Sequence, residues 1–155
     1  MSVLDKLLAF TGYWQGTNSF WLSPQEPARE SSTTLSLDSA VNQKFIEIKY
    51  TWADDDNPQE GTLLIGYETE RQLATAVWAD SWHMGEKFML CQGVIKENGS
   101  VDLRGFYQVS TGPDWGWRIV ITPESENALN LVMYNIWPEG KEELAVKAAY
   151  VPFIG

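Results

Sequence analysis

The sequence has one cysteine, one histidine and only 11 lysines and arginines among 155 residues. Each scarcity removes a class of function. A lone Cys91 closes no intrachain disulfide, so no oxidised framework is expected, and a reducing, cytoplasmic setting follows. Cys91 and His83 together fall short of the roughly four ligands that a Cys/His zinc site takes. The few basic residues are scattered and face 21 acidic ones, giving a formal charge of -10 and a pI near 4.4. Nucleic-acid surfaces are built from clustered Lys and Arg, and an anionic bilayer repels such a chain, so neither is an expected partner. Long apolar runs are also missing. The opening segment MSVLDKLLAF carries Asp5 inside a short apolar stretch and has no small-residue cleavage site, so it reads neither as a signal peptide nor as a membrane span.

What the chain does have is enough apolar material for one core. At 17.5 kDa and 44% hydrophobic residues, surface scaling buries roughly 69% of the unfolded chain's area, so residues 1–155 are expected to form a single domain without staples. Ser2 followed three places later by Asp5, with Val3, Leu4, Leu7 and Leu8 as an apolar stripe, reads as a short capped helix. The period then changes to two. Residues 11–22, 31–41, 44–53, 62–68, 73–80, 87–95, 101–110, 115–122, 128–136 and 143–151 each read as a strand. The separators carry turn chemistry, as in Asp54-Asp55-Asp56-Asn57-Pro58, Asn98-Gly99 and Pro138-Glu139-Gly140. About ten short strands with no helix between them exclude an alternating parallel fold and leave a sandwich or a meandering barrel.

Alternation assigns faces. Ile46, Ile48, Tyr50 and Trp52 share one side of their strand while Glu47 and Lys49 take the other. Trp14, Gly16, Asn18 and Phe20 oppose the more polar Tyr13, Gln15, Thr17 and Ser19 and are placed inside. By the same parity Arg118 faces water, opposite Trp117, Ile119 and Ile121, and Arg104 is the better interior arginine.

Four stretches carry a resemblance: Gly12-Tyr13-Trp14-Gln15-Gly16 after the helix, Ile65-Gly66-Tyr67-Glu68, Trp78-Ala79-Asp80-Ser81, and a last strand ending near Tyr150. In order along the chain, this layout resembles the lipocalin-like barrels of the calycin superfamily, which includes lipocalins, fatty-acid-binding proteins and nitrobindins, and most of all an uncharacterised bacterial family of such barrels. The resemblance implies an all-β fold: a single antiparallel up-and-down β-barrel of about ten strands with a short N-terminal helix, one end closed by the N-terminal segment, and an interior cavity. Gly12 and Gly16 would let another segment approach closely, and an inward Trp14 would plug the closed end. Nitrobindins bind haem through a His in their later strands. Residues 101–151 here contain no His, and Asn18 replaces a glycine of the longer nitrobindin motif, so no cofactor is expected.

The eight tryptophans set the expected chemistry. A barrel interior carrying several of them suits a flat or greasy ligand with few polar groups. Trp14, Asn18, Phe20, Tyr50, Trp52, Trp78, Asp80 and Tyr134 are the expected lining, with Asn18 and Asp80 as polar handles. The expected function is binding or sequestration of a small hydrophobic or aromatic ligand, without covalent chemistry; a homodimer is compatible with the sequence. One rival is a small isomerase or hydrolase with Asp80 as acid or base and Tyr50 or Tyr134 as hydrogen-bond donor. Another is a filled barrel that binds proteins through exposed Trp21, Trp115 or Trp137. Asp80, Ser81 and His83 are too close along a strand to form a catalytic triad, and the Asp54–Asn57 run lacks the spacing of an EF-hand loop.

Overall fold

The computed structural model describes residues 2–153; Met1 of the opening segment and residues 154–155 lie outside it. Helix α1 spans Val3–Leu8 and forms as the spacing predicts. The Ser2 hydroxyl accepts from the amide of Leu4, the Asp5 carboxylate accepts from the amide of Ser2, and Leu4 and Leu7 turn inward. Ten strands follow: β1 Gly12–Phe20, β2 Arg29–Ala40, β3 Phe45–Asp54, β4 Asn57–Glu68, β5 Leu73–Asp80, β6 Met89–Ile95, β7 Val101–Tyr107, β8 Trp115–Ser125, β9 Ala128–Ile136 and β10 Glu142–Pro152. Each pairs antiparallel with its sequence neighbours, and β1 pairs with β10 to close the barrel. Closure removes both sheet edges, which would otherwise leave unpaired backbone groups.

The seam depends on Gly16. It lies opposite Tyr150, and a Cβ at this position would stand 1.7 Å from the Ala149 carbonyl oxygen. Gly12, at φ +142°, takes a backbone conformation that favours glycine just where the chain leaves the helix and enters β1. Between them Trp14 is buried at the α1 end, its indole N–H donating to the Phe10 carbonyl at 3.0 Å.

Two boundaries differ from the sequence expectation for clear reasons. β4 begins at Asn57 because Asp55 and Asp56 both adopt positive φ and make a two-residue turn. Pro58 is tolerated there because residues 57–60 pair only with β3, β5 joining at Gly61, so its missing N–H costs no bond on the open side. β7 stops at Tyr107, ahead of the loop that carries Gly112 and Pro113.

Burial follows parity almost throughout, with Ile46, Ile48, Tyr50 and Trp52 inside and Arg118 outside. One expected lining residue, Tyr134, and Arg104, the better interior candidate among the arginines, are both outside. Arg104 shares its face with Phe106, which is 71% exposed, and reaches Glu142 on the outer wall at 3.4 Å. The inward residues of β7 are Val101, Leu103 and Gly105. Tyr134 alternates with inward Met133 and lies half-buried under the Arg118 guanidinium, 5.4 Å from its ring centre. Arg118 also makes a two-point pair with Asp102 at 2.9 and 2.7 Å and bonds Glu142 at 2.9 Å. The apolar faces of Phe106 and Tyr134 therefore misled the assignment: on this wall aromatic rings accompany a charged network rather than the core.

Candidate functional site

The barrel has a closed end under α1 and an open end formed by the loops that follow β1, β5, β7 and β9. Its middle is filled. Ile48, Leu63, Leu103, Ile119 and Leu131 are at most 1% exposed. The void beside Asn18, Tyr50, Trp52 and Asp80 is about 10 Å³, at the lower limit for a single water. Trp14 belongs to the closed end, so five of the eight expected lining residues, Trp14, Asn18, Tyr50, Trp52 and Asp80, do not line the cavity at the open end, and Tyr134 is on the outer wall.

The ligand-sized space is at the open end. A cavity of about 240 Å³ lies there, and of the expected residues Phe20 and Trp78 line it. The residues that alternation alone did not nominate are Trp82, His83, Met89, Tyr107 and Trp117. Trp117 was available to parity, since it shares a face with Ile119 and Ile121. Trp82 and His83 were not, because they leave the strand.

They leave it because of Asp80. One carboxylate oxygen accepts from the amides of Trp82 at 2.9 Å and His83 at 2.8 Å, ending β5 in an aspartate turn. The other oxygen accepts from the Tyr50 hydroxyl at 2.6 Å and the Trp52 indole at 3.3 Å, while Trp78 donates to the Tyr50 oxygen at 3.0 Å. Asp80 thus ties the turn to the barrel wall. Burial, reinforced by the Asp80 charge and hydrogen bond, holds the Tyr50 hydroxyl well above its ordinary value, so it acts as a donor rather than as an acid.

The turn carries the His83 imidazole into a shell of rings. Its centre is 4.9 Å from Trp82, 5.2 Å from Trp117, 5.5 Å from Phe20 and from Trp52, and 6.1 Å from Trp78. Neither ring nitrogen has a hydrogen-bond partner among the described residues. Burial keeps the imidazole below its ordinary value despite the opposing pull of the Asp80 carboxylate, so it is neutral at physiological pH. Beside it Trp117 stacks on Trp78 at 5.4 Å and 11°. The Trp117 indole N–H is buried without a partner, an unusual state for a group that loses a hydrogen bond to water on folding.

One row of residues crosses the mouth in register. Gly105 lies opposite Trp117, Trp117 opposite Asn135, and Asn135 opposite Glu143. A Cβ on Gly105 would stand 2.4 Å from the Met89 sulfur, so the absence of a side chain there is what lets Met89 pack into the wall below Trp117. The Tyr107 hydroxyl donates to the Asn135 side chain, so Asn135 is held in place.

Elsewhere, a larger groove of about 700 Å³ runs over the outer faces of β1 to β4, among Tyr13, Lys49, Glu60 and Thr62. Most of its lining is outward-facing and polar, and it also borders the buried Trp14, Leu35 and Tyr50. Arg29 engages the Asp54 and Asp55 carboxylates at the acidic turn. Trp115 and Trp137 pack on each other at 4.8 Å and Trp21 lines the mouth, so none of the three forms the exposed patch considered for a protein-binding barrel.

The molecule is therefore a closed ten-stranded, lipocalin-like antiparallel barrel whose middle is filled and whose open end is aromatic. The chain belongs to the family described as a protein of unknown function, DUF1579, whose profile matches residues 5–151. Two solved structures share the fold. The crystal structure of Rv2717c from M. tuberculosis superposes with a TM-score of 0.68 at 12% identity, over 99% of each chain. The S-type phycobiliprotein lyase CPES from Guillardia theta superposes with a TM-score of 0.64 at 14% identity, over 100% of this chain and 94% of that one. No curated protein matches the sequence. Among the described residues no helix is long and apolar enough to cross a membrane.

Proposed function

We propose that the protein binds a small, flat, largely apolar ligand in the mouth of the barrel, in a reducing cytoplasmic setting and without covalent chemistry. The observation that carries this reading is the 240 Å³ cavity walled by Phe20, Trp78, Trp82 and Trp117. Ligand pockets usually run from about 300 Å³ upward, so this one suits a one- or two-ring molecule, or one end of something longer. The fold shared with a phycobiliprotein lyase supports ligand handling by such a barrel.

The filled middle counts against a fatty acid or macrocycle enclosed in the barrel. The four hydrogen bonds already made by Asp80 count against its use as an acid or base, since its carboxylate is committed to holding the turn.

The test is titration with methoxyquinoline, a neutral two-ring probe with an ether oxygen, followed through the indole N–H resonances. Saturable shifts of the Trp117 and Trp82 signals are expected. Trp82→Ala, which removes a ring that is 39% exposed, is expected to weaken binding about tenfold and leave the chain folded. Shifts that fail to saturate, or affinity indifferent to loss of Trp82, would overturn the reading.

A further inference from the structure

We propose that the mouth cavity selects an organic cation, an aromatic or quaternary ammonium group, over neutral and anionic molecules of the same shape. This rests on the mouth being the binding site and names the charge of what it takes. Three observations converge on a positive charge.

The first is the charge of the lining. No Lys or Arg lines the cavity, and Glu143 is its single carboxylate. The Glu143 side chain is 17% exposed, and its ion pair is with Lys141 at 3.7 Å, a side chain 64% exposed. An exposed partner at that distance contributes little and is displaced at little cost. A carboxylate ligand would meet Glu143 with only the exposed Lys141, which also rests 5.3 Å over the Trp137 ring, as counter-charge, whereas barrels that hold fatty acids use a buried guanidinium. The arginines here are on the outer wall, where Arg104 and Arg118 are committed to Asp102 and Glu142.

The second is the walls. Aromatic faces carry a negative quadrupole and attract a cation within about 6 Å of the ring centre, most strongly when water is excluded. Five such rings border the cavity, those of Phe20, Trp21, Trp78, Trp82 and Trp117, so a ligand in the mouth meets aromatic surface on several sides.

The third is reach. Glu143 lies one strand beyond Asn135 and two beyond Trp117 in the same row, so one small molecule resting on the Trp117 ring has the carboxylate at its far side. The formal charge of -10 adds a long-range field that draws cations toward the barrel.

The experiment compares three probes of one shape: methoxyquinoline, its N-methylated cation, and the matching methoxynaphthoate anion. Calorimetry is done at about pH 8, where His83 is uncharged. The cation is expected to bind about tenfold tighter than the neutral probe, and the anion more weakly than either. Glu143→Gln is expected to bring the cation-to-neutral ratio down about fivefold, while Glu142→Gln on the outer wall leaves that ratio unchanged. Equal affinities for cation and neutral probe, or a ratio indifferent to Glu143→Gln, would overturn the charge preference and leave a neutral-ligand site standing. Binding of none of the three would overturn both readings. The ratio in the unaltered chain is decisive by itself if the variant folds poorly.

Discussion

Around α1, apart from the Trp14 plug, the barrel interior is aliphatic: Leu37, Ile46, Ile65, Leu103, Ile121 and Leu129 are each at most 1% exposed. At the opposite end the inward side chains are rings, and there the packing opens into 240 Å³. Branched aliphatic side chains fill a tapering interior because they are compact and have few rotamers. Large rigid rings cannot tile so completely, and each indole brings an N–H that needs a partner. The same wall therefore provides cohesion at one end and recognition at the other, and substitutions at the two ends should separate stability from binding.

The largest expected effect on stability lies in the aliphatic half. Ile65→Ala leaves a cavity in a region with no slack and should cost about 2–5 kcal/mol in a urea titration, with probe affinity unchanged. A binding loss as large as the stability loss would mean the two ends are not separable.

Next is Asp80, where the halves meet. Asp80→Ala strands the Tyr50 hydroxyl and frees the Trp82 and His83 amides, and should cost about 2–3 kcal/mol. Hydrogen exchange should speed up first at Trp82 and His83. Uniform acceleration along the chain would show that Asp80 holds the whole barrel rather than the turn.

A smaller effect follows from His83, whose pKa burial lowers in the folded state. The unfolded chain then binds the proton more readily, so stability is intact above about pH 6.5 and falls as the pH drops from there toward the folded value. His83→Phe keeps a ring in the shell and should flatten this part of the Tm-against-pH curve. An unaltered curve would assign the acid sensitivity to the carboxylates.

The smallest effect is expected on the outer wall. Arg104→Ala removes a side chain 53% exposed whose carboxylate partner also has Arg118, and should shift the unfolding midpoint by no more than about 0.5 kcal/mol. A larger loss would mean that the outer charge network contributes to barrel closure.

Local chemistry in the chain was sufficient to set the helix, the ten strands, the plug at Trp14 and most facing directions. A capping pair, period-two alternation and turn residues act over a few positions, and antiparallel neighbours need only short connections. What alternation could not set was the site. The inward row from Gly105 to Glu143 brings together residues far apart in sequence, through pairings fixed only when the barrel closes. His83 escapes period two because the Asp80 carboxylate bends the chain after the strand ends. Whether the interior is full depends on the summed volumes of side chains from all ten strands, and so on the closed tertiary structure. Arg104 and Tyr134 lie outside for a related reason: an aromatic ring can cover a guanidinium on a wet wall as readily as it fills a core, and only the position of the neighbouring strands decides between the two.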